Sequence, residues 1–267
     1  METYTGVADV NGDFKILFGA NNYTSGEKIT VIAEKDNAEK SIELYAPSDT
    51  LGGGVIQFGG NLTNFPNNIG AVTIGQIGGI INQYAFDAAG NINILWRKAT
   101  ALTIENGVTA INDYAFRAWT GMTTLTLPAS LVSIGQYALS QLSNCLRIHI
   151  PEGVTSVGSY AFNNATSCIE LTIPSTLTNI GARAFEGFQV LKSLTIPSTV
   201  TNIAAYAFNG LSAAEVITVL PSSPPAILAT SFNGLNPACI FKVPAASVAA
   251  YQSAPNWSAF ASRIQAI

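Results

Sequence analysis

The chain has 267 residues, enough to bury the core of one large domain or two smaller ones. Charged residues make up 10% against 48% hydrophobic, so Thr, Ser, Asn and Gln must wet most of the surface. A formal net charge of −4, with no basic run or basic-aromatic strip, argues against nucleic acid as a partner, and Cys145, Cys168 and Cys239 are too few and too scattered for a disulfide framework or a zinc site.

No stretch reaches the apolar length of a membrane span, and no charged segment followed by an apolar run opens the chain as a signal peptide would. Met1 leads at once into strand-like sequence, which reads as a cut into a longer chain. The missing signal is therefore no argument for the cytoplasm.

Residues 1 to about 50 alternate as strands at Gly6–Val10, Phe14–Phe18, Lys28–Glu34 and Lys40–Tyr45. Asn11-Gly12 is a hairpin signal between the first two, and Asp36-Asn37-Ala38 is a second turn. Asp9-Val-Asn-Gly-Asp13 has the look of a calcium loop but lacks the later glutamate, and a hairpin turn explains it. Ala46–Gly54, with Pro47 and three glycines, reads as a linker, and residues 55–70 begin the first rung of a repeat and cover its open end. Neither Gly52–Gly54 nor Gly75–Gly79 has the lysine and serine of a phosphate loop.

From there the chain repeats. Ala-Phe recurs at Phe86, Phe116, Phe162, Phe185 and Phe208, with degenerate copies at Leu139 and Phe232. From Phe116 the step is 23 residues until a final step of 24; the first step, from Phe86, is 30. The extra residues are placed in a bulging loop, Ala89–Lys98, that holds Trp96, Arg97 and Lys98. Leu-Thr-Leu-Pro and its variants end at Pro128, Pro151, Pro174, Pro197 and Pro244, and pairs such as Val108/Ile111, Leu177/Ile180 and Val200/Ile203 keep the same register. In one rung, Leu194 and Ile196 point to one side of a strand and Thr195 to the other. Proline ends the strand because it has no N–H for the ladder. Val200 and Ile203 turn inward on the next side, and Ala207, Phe208 and Leu211 are expected to close the rung in a short helical or 3₁₀ turn. Stacking supplies the core in two columns, the Phe86-to-Phe232 series and the series Trp119, Leu142, Ala165, Phe188, Leu211 and Leu235. Pro244–Ser253 should form a short helix, after which Trp257, Phe260 and Ile264 cover the last rung.

The pattern Leu-Thr-Ile-Pro-x-x-Val-Thr-x-Ile-Gly-x-x-Ala-Phe, from about Ala71 to Pro244, resembles the BspA-like leucine-rich-repeat family of bacterial surface proteins. The tail from Val243 through Trp257 to Ile267 resembles that family's terminal cap. The resemblance implies a right-handed leucine-rich-repeat solenoid with a parallel sheet on its concave face, and roles in adhesion; it carries no shared catalytic residues. This copy departs from the pattern at Leu139, Arg183 and Leu220. Gly6–Phe14 followed by Gly26–Ala33 resembles the back half of a bacterial immunoglobulin-like module, which implies a spacer. The expected division is 1–50 immunoglobulin-like, 51–244 solenoid and 245–267 cap.

Three sets of residues carry the candidate chemistry. His149, the single histidine, points outward between Ile148 and Ile150, and no Asp or Cys shares its strand, so a triad or metal role is disfavoured. Cys145 and Cys168 hold one apolar position in consecutive rungs, which reads as two buried free thiols, with a disulfide between rungs as the alternative. Tyr84, Tyr114, Tyr137, Tyr160 and Tyr206 read as a partly buried stack, or else as an aromatic strip for a ligand or glycan.

The outward strand positions are the expected ligand face. One row is Thr103, Thr126, His149, Thr172, Thr195, Thr218 and Lys242, and its neighbour Ala101, Thr124, Arg147, Glu170, Ser193 and Val216. Arg147, His149 and Glu170 form its polar focus, with Arg147 and Glu170 paired one rung apart, and Thr126, Thr172 and Thr195 around it. The charged break and the implied curvature argue against ice binding. The reading is a non-catalytic extracellular or cell-surface recognition protein, using no cofactor and binding a host or cell-surface protein or a glycan. A structural or receptor-binding part of a phage tail fibre is the alternative. An enzyme is disfavoured because no titratable cluster converges.

Overall fold

The computed structural model describes residues 70–75, 79–89 and 94–267, together with the backbone of four earlier strands. Those are β1 (Asp13–Phe18), β2 (Lys28–Lys35), β3 (Ala38–Tyr45) and β4 (Gly54–Gly59). Three of them match strands expected from alternation. The Gly6–Val10 strand, both turns, the Asp9–Asn11 part of the loop motif and most of the linker lie outside the described residues. β2 pairs with β3 antiparallel; β1 pairs antiparallel with β4, and β4 with β5 (Gly70–Gly75).

From β5 onward the chain winds as a parallel solenoid of about seven turns. The first side carries β7 (Ala99–Ile104), β9 (Thr124–Thr126), β11 (Arg147–His149), β13 (Glu170–Thr172), β15 (Ser193–Ile196), β17 (Val216–Val219) and β19 (Ile240–Val243). The second side carries β6 (Gly79–Ile81), β8 (Val108–Ile111), β10 (Ser133–Ile134), β12 (Ser156–Val157), β14 (Asn179–Ile180), β16 (Asn202–Ile203) and β18 (Ala226–Ile227). Register is one rung to the next, as in Arg147↔Glu170 and Ser193↔Val216. Strand hydrogen bonding on the first side runs in three stretches, with β11 and β13 forming a separate pair.

Alternation decides which side chains enter. In β15 Leu194 and Ile196 are buried while Ser193 and Thr195 are exposed, and β11 and β13 repeat this pattern. The Val/Leu-x-x-Ile/Val pairs fill the core from the second side, where Val108, Ile111, Leu177, Ile180, Val200 and Ile203 are all at most 1% exposed. At the corner after the second strand the rungs approach closely: a Cβ on Gly158 would stand 2.7 Å from the backbone of Gly135 and Gln136.

The third side is a short turn with the i, i+3 bonding of the 3₁₀ alternative, but its backbone is not helical. It consists of successive i, i+3 turns, Ala115 N to Asn112 O and Arg117 N to Tyr114 O, both 3.3 Å. The residue between them is left-handed in six successive rungs, though not at Thr230 in the last: Tyr84, Tyr114, Tyr137, Tyr160, Arg183 and Tyr206 have φ between 55° and 62°. Left-handed backbone costs a non-glycine residue about 1–2 kcal/mol. A third inter-rung ladder offsets it, since Phe116 N donates to Ala138 O (2.8 Å), Leu139 N to Ala161 O and Phe162 N to Ala184 O (both 2.9 Å). A helix would turn these N–H groups along its own axis and away from the next rung.

The phenylalanine column is continuous and buried. Phe86–Phe116, Phe162–Phe185, Phe185–Phe208 and Phe208–Phe232 stack with centroids 5.2, 5.7, 5.6 and 5.5 Å apart, and Leu139 fills the gap at zero exposure. Trp96 corrects the loop expectation. It follows the 3₁₀ start of Ile94–Lys98, is 2% exposed, and stacks on Trp119 at 5.1 Å. The insertion therefore ends before Trp96, which stands 23 residues before Trp119 and begins the second core column.

At the far end a 3₁₀ turn (Ala245–Ser247) and α1 (Val248–Ser253) form the expected short helix, and a second 3₁₀ segment (Trp257–Arg263) leads to β20 (Ile264–Ala266). Buried Trp257 donates to Pro225 O at 2.7 Å, and buried Tyr251 donates to Pro221 O at 2.8 Å. Phe260 packs on Phe241, and β20 adds a parallel strand beside β19. Each buried polar tip has a partner, so aromatic mass covers the last rung without an orphaned donor.

Candidate functional site

The first side brings the polar focus together. Parallel register sets Arg147 beside Glu170 and His149 beside Thr172. Arg147 Nε donates to Glu170 Oε2 at 3.0 Å, and His149 Nε2 lies 3.6 Å from Glu170 Oε1. His149 Nδ1 lies 2.9 Å from Thr172 Oγ1. Thr126 and Thr195 stand exposed one rung before and one rung after. Thr126 also lines a shallow depression with Glu105, Leu127 and Pro128 at the strand exit.

The order Thr172 hydroxyl, His149 imidazole, Glu170 carboxylate has the connectivity of a nucleophile, base and orienter. Sequence reasoning missed it because Glu170 arrives from the next rung. The surroundings do not suit that chemistry. The Glu170 carboxylate is already paired with Arg147, the side chains are half exposed to water, and backbone N–H groups of these strands serve the inter-rung ladder. What the group can do is offer directed hydrogen bonds from an open sheet.

Two flanking residues also escaped the sequence reading. Leu146 and Ile169 sit just before β11 and β13 and are 44% and 53% exposed. Their rung equivalents are Thr100, Thr123, Lys192 and Glu215, so the signal was present as a departure from a polar column.

The flank behaves differently. Tyr84–Tyr114, Tyr114–Tyr137 and Tyr137–Tyr160 stack at 4.8, 5.0 and 4.3 Å with planes within 11° of parallel. The Arg183 guanidinium takes the next place, 5.5 Å from the Tyr160 ring and 4.4 Å from Tyr206. Burial, then a hydrogen bond with Tyr160, pushes the Tyr137 hydroxyl above its ordinary pKa. Beside this stack runs a polar ladder that sequence reasoning did not find. Glu186 accepts from Arg183 (3.1 Å), Asn163 (3.0 Å) and Asn209 (2.6 Å), and Asn233 donates to Asn209 at 3.0 Å. Arg117 pairs with Asp87 at 2.6 Å in the same row. These carboxylates hold Arg183 and Arg117 more firmly in the charged form. The signal was the residue one place after each phenylalanine.

Cys145, Cys168 and Cys239 are buried and free, so the inter-rung disulfide is not formed. Cys145 and Cys168 each donate to a carbonyl two residues on, at 3.3 and 3.1 Å. Burial raises all three thiols, Cys168 to about 11, which keeps it protonated and unreactive. Among the described residues no group of three His, Cys, Asp or Glu could hold a metal ion. No helix among them is long and apolar enough to cross a membrane.

Stacked 23-residue rungs with a parallel sheet define a leucine-rich-repeat solenoid. The model of the BspA type leucine rich repeat region matches residues 79–215 in six copies, and the chain belongs to that family. Among solved structures it is similar to a T. pallidum leucine rich repeat protein (18% identity, 56% of this chain and 78% of that one, TM-score 0.47). It is also similar to a leucine rich cell surface protein from Faecalibacterium prausnitzii (22%, 72% and 70%, 0.43) and to a leucine-rich repeat protein from Bacteroides ovatus (15%, 85% and 72%, 0.41). No curated protein matches the chain.

Proposed function

We propose that the chain is a non-catalytic recognition and adhesion module, displayed outside the cell, that binds a protein or glycan through the concave face of its first sheet. The observation that carries the reading is the grouping of Arg147, His149, Glu170 and Thr172 at the middle of a sheet whose other outward side chains are neutral except Lys242 in the last rung. Solenoids use such extended faces for binding, and membership of a repeat family supports the interaction role. Thr126 and Thr195 extend the contact on either side. Residues 1 to 50 serve as an immunoglobulin-like spacer in this reading.

An array of matrix proteins and glycans probed with the purified chain tests this. A saturable partner lost on Arg147→Glu, with the melting temperature kept, is the expected result. A blank array, or a partner indifferent to Arg147→Glu, would overturn the concave-face reading; a blank one would favour a tail-fibre or spacer role.

A further inference from the structure

We infer that the concave face reads an extended segment of a partner protein, and that this segment carries an acidic side chain next to an aliphatic one. The inference rests on the concave-face reading and names the partner class for it.

In a periodic scaffold the repeated residues hold the rungs together, so exposed positions that break the period are free of that duty. Two such breaks of different chemistry fall in the same two rungs. The outward row Ala101, Thr124, Arg147, Glu170, Ser193, Val216 is charged only at Arg147 and Glu170. The preceding column is polar at Thr100, Thr123, Lys192 and Glu215, ends on buried Cys239 in the last rung, and is exposed and aliphatic only at Leu146 and Ile169. Each break alone is ordinary surface variation. Together they place an exposed aliphatic pair one residue from an ion pair.

The hydrogen-bond geometry sets the charge of the occupant. Arg147 bonds Glu170 through Nε, which fixes the guanidinium plane and leaves the terminal Nη1 and Nη2 without a partner among the described residues. A fork held this way accepts a carboxylate by two parallel bonds. Glu170 keeps acceptor sites of its own, since one oxygen takes the Arg147 bond and His149 stands 3.6 Å from the other, so the anion's place is the donor end of the pair, at the Arg147 fork. Beside it, Leu146 and Ile169 offer aliphatic area that a leucine or isoleucine would cover.

The same surface argues for protein over glycan. Sugars are gripped by stacking on aromatic faces, and the two outward rows hold no Phe, Tyr or Trp. From Tyr84 to Tyr160 the flank tyrosines turn their faces to one another at 4.3–5.0 Å, and Tyr206 turns a face to Arg183 at 4.4 Å, leaving ring edges outward. The strip reading of those tyrosines loses its platform on that geometry.

Panning a phage-displayed library of random linear peptides on the immobilised full chain tests the inference. Enriched sequences should set Asp or Glu beside Leu, Ile, Val or Phe. Their affinity should fall about tenfold or more with Arg147→Glu and, separately, with Ile169→Thr. Threonine is what Thr100 and Thr123 place in that column, so the second variant keeps the fold. No enrichment, enriched peptides without an acid, or indifference to Ile169→Thr would overturn the inference. An acidic glycan bound with dependence on Arg147 but not Ile169 would overturn it too, while leaving the concave-face reading standing. A partner indifferent to both substitutions would end both.

Discussion

Along the flank each tyrosine ring presents its faces to its neighbours, whereas along the first sheet the Arg147 guanidinium presents its terminal nitrogens to solvent. Both rows are built by the same 23-residue step and both carry arginine, carboxylate and hydroxyl groups. On the flank Arg183 lies between two rings and Glu186 is 14% exposed with three donors on it. On the sheet the Arg147 and Glu170 side chains are 60% and 50% exposed, and each retains capacity. In a repeat protein a row whose groups satisfy one another stabilises rungs, and a row with open hydrogen-bonding capacity is available to a partner.

If the interior and the flank hold the molecule together, damage there should show in stability. The largest effect is expected at the phenylalanine column. Phe162→Ala should cost about 3–5 kcal/mol in urea denaturation, because Leu139 and Phe185 on either side are held by their own rungs and cannot close the cavity. Next comes the polar ladder: Glu186→Ala strands Arg183, Asn163 and Asn209 and should cost about 2 kcal/mol, with Glu186→Gln milder. A loss under about 0.5 kcal/mol for Glu186→Ala would mean that the ladder is decoration.

A smaller effect should appear with alkali. Cys168 and Tyr251 are acids whose neutral forms burial favours, so their folded pKa values lie above the unfolded ones. The stability they contribute is complete below the unfolded values, roughly 8.5 for a thiol and 10 for a phenol, and is lost as pH rises toward the folded values. Melting temperature should fall from about pH 9 upward, with Cys168→Ala flattening the first part of that fall. Alanine stands in this column at Ala214, so the variant keeps its packing class. A melting temperature flat up to pH 11 would contradict the assignment.

The fold was legible because the determinants of a rung are local and repeated. Leu194-Thr-Ile-Pro197 specifies a strand, its inward face and its end in four residues, and the cap announced itself through Trp257 and Phe260. Trp96 was misplaced because the longer first step was measured from phenylalanine to phenylalanine, whereas the tryptophans keep the 23-residue spacing. The left-handed tyrosines were illegible because propensity reserves that backbone for glycine and asparagine, and only stacking and the third ladder offset its cost. At the site, the Arg147–Glu170 pair followed from register alone. The Glu170–His149 contact and the exposure of Leu146 and Ile169 depend on side-chain direction at a corner, which a one-dimensional pattern does not encode.

On this reading recognition belongs to the sheet and stability to the flank. The most direct measurement is the affinity of one array-identified partner for three proteins: the unchanged chain, Arg147→Glu and Tyr137→Ala, each checked by thermal melting. Arg147→Glu should lose the partner at an unchanged melting temperature, and Tyr137→Ala should melt lower but bind as before. Binding lost with Tyr137→Ala at a temperature where it remains folded, and kept with Arg147→Glu, would contradict it.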